Sequence, residues 1–134
     1  MFRYIERRGR RYPIIPIRLL GAEPVTVYAL VDSGAVVSLF HSDIAEYTGL
    51  DLGRAEPVYL AGVGGYVRAL LMRDVEIEVE GIGRLSIPIA FTDNVSADIS
   101  ILGRKGFFEA LEVTFRERRE EIVLRRTMPE DRNT

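Results

Sequence analysis

The sequence predicts an all-β fold carrying one or two short helices, and three observations point there. Short runs rich in valine, isoleucine and leucine recur along the chain, punctuated by glycine and proline. Residues 75–80, "VEIEVE", alternate strictly, which puts one face of a strand on a core and the other in water. Strand-like runs do not alternate with helical ones, so a parallel doubly wound sheet is not expected.

Taken in order, residues 1–12 form a basic N-terminal arm, with five arginines in the first eleven positions, and read as solvated. From Pro13 the character changes. The runs Ile14–Leu20 and Val25–Val31 flank Gly21-Ala22-Glu23-Pro24 and read as a hairpin whose second strand delivers Asp32. "AVVSLF" (35–40) is a continuous apolar run of the kind buried on both faces. "SDIAEYTGL" (42–50) reads as a brief helix, with Asp43 and Glu46 at a capped start and Gly49 as its stop. Residues 57–80 supply two strands around a glycine-rich tip, and "GIGRLSIPIAFTD" (81–93) a turn and a further strand. "ADISILG" (97–103) is a strand ending on Gly103, and "RKGFFEAL" (104–111) places apolar residues at 107, 108 and 111, enough for about two helical turns. "EVTFRERREEIVLRR" (112–126) closes the domain, residues 13–126, as strand, charged turn and strand. The polar tail 127–134 has no apolar residues to order it beyond Met128.

Composition narrows the chemistry. At 134 residues, with 47% apolar and 28% charged, the chain is one domain large enough to bury a core. There is no cysteine, which excludes disulfides, thiolate nucleophiles and cysteine-held metals, and a single histidine, His41, which excludes a multi-histidine metal site within one protomer. His41 reads as a surface or helix-entry residue. The 18 basic residues are outweighed by 20 acids, a net charge of −2 that argues against nucleic acid as a partner. No apolar run is long enough to span a membrane, and the N-terminus does not resemble a secretory signal, so a cytoplasmic protein without membrane association is expected. Carboxylate chemistry is what remains.

Three glycine-bearing segments carry the functional argument. Asp32-Ser33-Gly34 is composed of turn residues, yet it lies between "ALV" and "AVVSLF", where a buried carboxylate costs several kcal/mol unless it is paired or hydrogen-bonded. Gly62-Val63-Gly64-Gly65-Tyr66 crowds three glycines at a hairpin tip; it lacks the Lys-Ser/Thr and helix start of a phosphate loop, and reads as a mobile lid or a flexible hairpin end. Ser100-Ile101-Leu102-Gly103-Arg104 is an apolar strand that ends at a corner.

In this order the three segments resemble the retropepsin-like aspartic proteases, the single-domain family that includes the retroviral enzymes. "LVDSGA" (30–35), "AGVGGYV" (61–67) and "SILGRKGFF" (100–108) match its Asp-Thr/Ser-Gly-Ala strand end, its glycine-rich flap and its Ile/Leu-Leu/Ile-Gly-Arg strand. The resemblance implies a small closed acid-protease-type β-barrel with a flap hairpin. It also implies a homodimer, because one chain carries one Asp-Ser-Gly and the chemistry needs two carboxylates. Asp32 is then the catalytic residue. Ser33, Gly34, Gly103 and Arg104 support the active-site loop; Ala35 and the flap residues Gly62, Val63, Gly64, Gly65 and Tyr66 bind a peptide or protein substrate. No metal, cofactor or covalent intermediate is implied.

Two departures from the family pattern are visible. Val36 and Val37 stand where retroviral proteases commonly carry an acid that partners the arginine, leaving Asp98 or Glu6 as carboxylates for Arg104. The chain also continues past the corner into Glu112–Arg125, which puts the dimer-interface topology in question. The alternatives are a catalytically silent retropepsin-like module that binds peptide or dimerises, and a β-rich structural protein in which Asp-Ser-Gly is only a turn.

Overall fold

The computed structural model describes residues 1–62, 64–96, 98 and 100–127. Its strands are β1 (Phe2–Arg3), β2 (Ile5–Arg7), β3 (Arg10–Tyr12), β4 (Ile14–Leu19), β5 (Val25–Val31), β6 (Ser38–His41), β7 (Glu56–Gly62), β8 (Gly65–Val79), β9 (Gly83–Thr92), β10 (Ile101–Leu102), β11 (Leu111–Arg116) and β12 (Glu121–Arg126). One regular helix, α1 (Ser42–Thr48), follows β6.

The main sheet runs β4-β5-β10-β6-β9-β8-β7 and is closed by pairing of β4 with β8, Arg18 opposite Glu78 and Leu19 opposite Ile77. Six strands therefore form a ring, the small barrel expected for an all-β protease-type fold, and β7 lies outside it along β8. Alternation builds the interior. On β5, Val27, Ala29 and Val31 are buried while Tyr28 stays exposed; on β8 and β9, Val75, Ile77, Val79, Leu85, Ile87 and Ile89 point inward. Phe40 and Phe91 meet edge to face at 6.2 Å between ring centres. A register shift between Met72 and Val75 gives β8 one extra residue against β9, a bulge dividing the barrel half of this long strand from the half that pairs with β7.

Several elements differ from the sequence reading. The basic arm is ordered: Phe2 pairs with Ile122, Tyr4 is buried, and Arg7 faces Arg10 across a tight turn at Arg8 (φ 52°) and Gly9 (φ 77°). Arginine count concealed two aromatic anchors, and the Tyr4 hydroxyl donates to Glu117 at 2.9 Å. "AVVSLF" is a strand only from Ser38, because residues 35–37 form a loop. The cap of α1 is His41, whose Nδ1 accepts from the Asp43 N–H at 3.0 Å, with Gly49 at φ 75° ending the helix as expected. "RKGFFEAL" begins as an irregular turn: Lys105 (ψ 122°) and Gly106 (φ 79°) leave helical geometry, although Phe107 still enters the core. Of the proposed tail, residues 128–134 lie outside those described.

Strands β11 and β12 pair along their whole length, and β12 also holds β1, so a second sheet runs β1-β12-β11.

Candidate active site

β5 carries the chain out of the barrel wall at Asp32. Two-residue alternation puts Tyr28, Leu30 and Asp32 on the side away from the core, opposite Val27, Ala29 and Val31. The Asp32 N–H donates to the Leu102 carbonyl at 3.0 Å, and the Ala35 N–H donates back to the Asp32 carbonyl at 3.2 Å, closing a tight turn. Within that turn the Gly34 N–H donates to Asp32 Oδ1 at 2.8 Å. The other carboxylate oxygen accepts no hydrogen bond among the described residues. Asp32 is half-buried, Ser33 and Gly34 are exposed, and Val36 keeps 55% of its surface in water.

The loop is held from behind by β10. This short strand lies between the two strands the loop connects, parallel to β5 (Ile101 opposite Leu30, Leu102 opposite Val31) and antiparallel to β6 (Ile101 opposite Leu39). Three successive backbone donors then clasp the loop. The Gly103 N–H donates to Ser38 Oγ at 3.0 Å, Arg104 N–H to the Ala35 carbonyl at 2.9 Å, and Lys105 N–H to the Val36 carbonyl at 2.8 Å. Gly103 is required by space: a Cβ there would sit 2.6 Å from the Val37 oxygen and 2.9 Å from the Ala35 oxygen.

A cleft of about 550 Å³ opens on the same outward side of β5, reaching Leu30 two residues before Asp32 but not lined by Asp32 itself. Tyr28, Leu30, Ile14 and Ile101 line it with apolar surface, and Arg7, Arg8 and Asp98 bring charge. The Asp98 carboxyl is held below its ordinary range by a hydrogen bond from Ser96, by its own backbone N–H and by the field of Arg8 and Arg7.

A model of the aspartyl protease family matches residues 15–105. The chain belongs to that family. The match takes in β4 through β10 together with the Asp32 loop, and it agrees with a retropepsin-like barrel. No curated protein matches the chain.

In this member of the aspartyl protease family the glycine-rich hairpin is built by β7 and β8, paired from Glu56 opposite Leu71 to Gly62 opposite Gly65. Its residues Val58, Leu60, Val67 and Ala69 share one partly buried face; Tyr59, Ala61, Tyr66 and Arg68 share the other, and Tyr66 is 78% exposed. Gly65 adopts φ 112°, and Gly64 has open space around it. Val63 lies outside the described residues. The hairpin base is tied to the barrel by Thr92, whose buried hydroxyl donates to the Arg68 carbonyl at 2.9 Å.

Arg104 departs from the sequence reading. Its side chain is exposed and makes no ion pair among the described residues; neither Asp98 nor Glu6 partners it, and it reaches the loop through its backbone N–H alone. Asp98 is engaged with Ser96, and Glu6 lies on the β2–β3 hairpin opposite Arg11. Sequence reasoning also missed Ser38. It is wholly buried, and its hydroxyl receives the Gly103 N–H. A lone hydroxyl inside "AVVSLF" was the available signal, since a buried polar group needs a partner. The cleft residues Tyr28 and Leu30 were legible as well, by stepping back in twos from Asp32.

Proposed function

We propose that two copies of this chain form an aspartic endopeptidase with one active site, to which each copy contributes its Asp32. The observation that carries the proposal is the state of that residue in the single chain. It is a half-buried carboxylate on a tightly clasped loop, with one oxygen engaged and the other not, beside a valine more than half exposed. A rigid loop that presents an outward-facing carboxylate and apolar surface is suited to meeting its own copy across a two-fold axis.

Two carboxylates facing each other across the axis repel when both are charged, so one of them carries the proton that the chemistry uses. The ionised member takes a proton from a water as it attacks the scissile carbonyl; the protonated member donates to the developing oxyanion. Ser33 bonds across the dimer, Gly34 lets substrate backbone approach, and Ala35 borders the substrate groove formed where the two copies meet. Gly103 and the backbone of Arg104 keep the loop in place. The Gly62–Tyr66 tip closes over an extended peptide, which it holds by strand-like main-chain bonds.

Incubation with a mixed peptide library at mildly acidic pH tests this reading. Wild-type protein yields cleavage products with a bell-shaped pH dependence, and Asp32→Asn yields none. Equal cleavage by both proteins removes Asp32 from the chemistry. Peptides recovered bound but intact after days would favour a silent binding module.

A further inference from the structure

We propose that the two copies join edge to edge through β11, pairing antiparallel about Thr114. This rests on the homodimer reading above and names the strand that makes the dimer. In the order β1-β12-β11, β11 has β12 on one side and no strand on the other among the described residues. Its six residues, Leu111–Arg116, include none of the proline or lysine that usually protects an open edge, and it carries β-branched Val113 and Thr114.

The sequence of that edge is complementary to itself. Antiparallel pairing about Thr114 sets Glu112 against Arg116 of the partner subunit and Val113 against Phe115 of the partner subunit. Within one chain Glu112 already bonds Arg125 at 2.8 Å, and Arg116 already bonds Glu121 at 3.0 Å, each directly opposite on β12. Pairing joins them into one alternating row: Arg125, Glu112, then Arg116 and Glu121 of the partner subunit. On the other face Val113 and Phe115 lie opposite Leu124 and Ile122, both buried, yet Phe115 itself is 39% exposed at the sheet's end. The same pairing covers it with Val113 of the partner subunit and continues that apolar row. Centring on Val113 instead sets Glu112 against Thr114, and centring on Phe115 carries Glu112 past the end of the strand, so only Thr114 satisfies both faces.

The chain lacks cysteine, which makes the test clean. Paired residues on the axis lie within disulfide reach, whereas positions 112 of the two copies would be about 13 Å apart. Full-length Thr114→Cys and Glu112→Cys are oxidised mildly and analysed by non-reducing gel and sedimentation. Thr114→Cys is expected to give a linked species of dimer mass, roughly ten-fold more of it than Glu112→Cys. A sedimenting dimer in which Thr114→Cys does not link, or links no better than Glu112→Cys, overturns this interface and leaves the homodimer standing. A linked species of tetramer mass assigns β11 to a second interface and also overturns it. A wild-type protein that sediments as a monomer overturns both readings.

Discussion

Replacing Gly103 with alanine puts a methyl group where the backbone of the Asp32 loop already lies. The new Cβ would stand 2.6 Å from the Val37 oxygen, 2.7 Å from the Val37 carbonyl carbon and 2.9 Å from the Ala35 oxygen, closer than packed atoms tolerate. Those atoms are main chain on both sides, so no side chain can swing away. If the loop holds its position, the strain of overpacking costs about 1–3 kcal/mol. If β10 retreats, the hydrogen bonds from Gly103, Arg104 and Lys105 to Ser38, Ala35 and Val36 are lost, at about 1 kcal/mol each. The easier route sets the cost, a destabilisation of about 1–3 kcal/mol, hence a fall in melting temperature of roughly 3–15 °C for a domain of this size. The assay is thermal unfolding followed by circular dichroism at one fixed protein concentration, since a dimer melts in a concentration-dependent way. Gly64→Ala is the control: a Cβ there meets nothing within 4 Å, and stability should move by less than about 0.5 kcal/mol. A Gly103→Ala protein that melts within 2 °C of wild type would refute the claim that backbone crowding fixes this glycine.

Ser38→Ala removes the acceptor for the Gly103 N–H inside a fully buried site and should cost about 1–3 kcal/mol in urea unfolding, with Ser38→Thr losing less if its hydroxyl keeps the bond. Tyr4 is pushed up to about 12 by burial first and then by Glu117 and Glu120, so one of the six tyrosines should ionise late in an ultraviolet titration. The folded state holds that proton more tightly than the unfolded chain. The stability it contributes is therefore complete below the ordinary phenol value of about 10 and is lost as pH rises through about 12. Tyr4→Phe should erase the late step, and an unchanged titration would show that Tyr4 is not its source. His41→Ala should cost about 1 kcal/mol through loss of the α1 cap, and His41→Asn should restore most of it, both read from urea midpoints.

The sequence alone determined what depends on local pattern. Apolar β-rich runs bounded by turn residues located β4, β5, the β7–β8 hairpin, β9 and the β11–β12 hairpin, and the strict alternation of residues 75–80 showed that one face of β8 meets a core, because a two-residue period has to match a two-sided surface. The Asp-Ser-Gly turn, the glycine tip and the Leu-Gly-Arg corner pointed to the family that the comparison then established. Where long-range contacts compete with local preference, only the tertiary structure decided. Residues 35–37 are apolar enough for a strand, but the carbonyls of Ala35 and Val36 accept from Arg104 and Lys105, more than sixty residues away in sequence, and stay a loop. The N-terminal segment is arginine-rich enough for a free arm, but Phe2 and Tyr4 find β12 and Glu117 and order it. The same holds for Asp32 itself. Its place in an apolar stretch was readable at once; that a strand from the far end of the domain would insert behind it, and that glycine at 103 is what lets that strand come close, followed only from the packing.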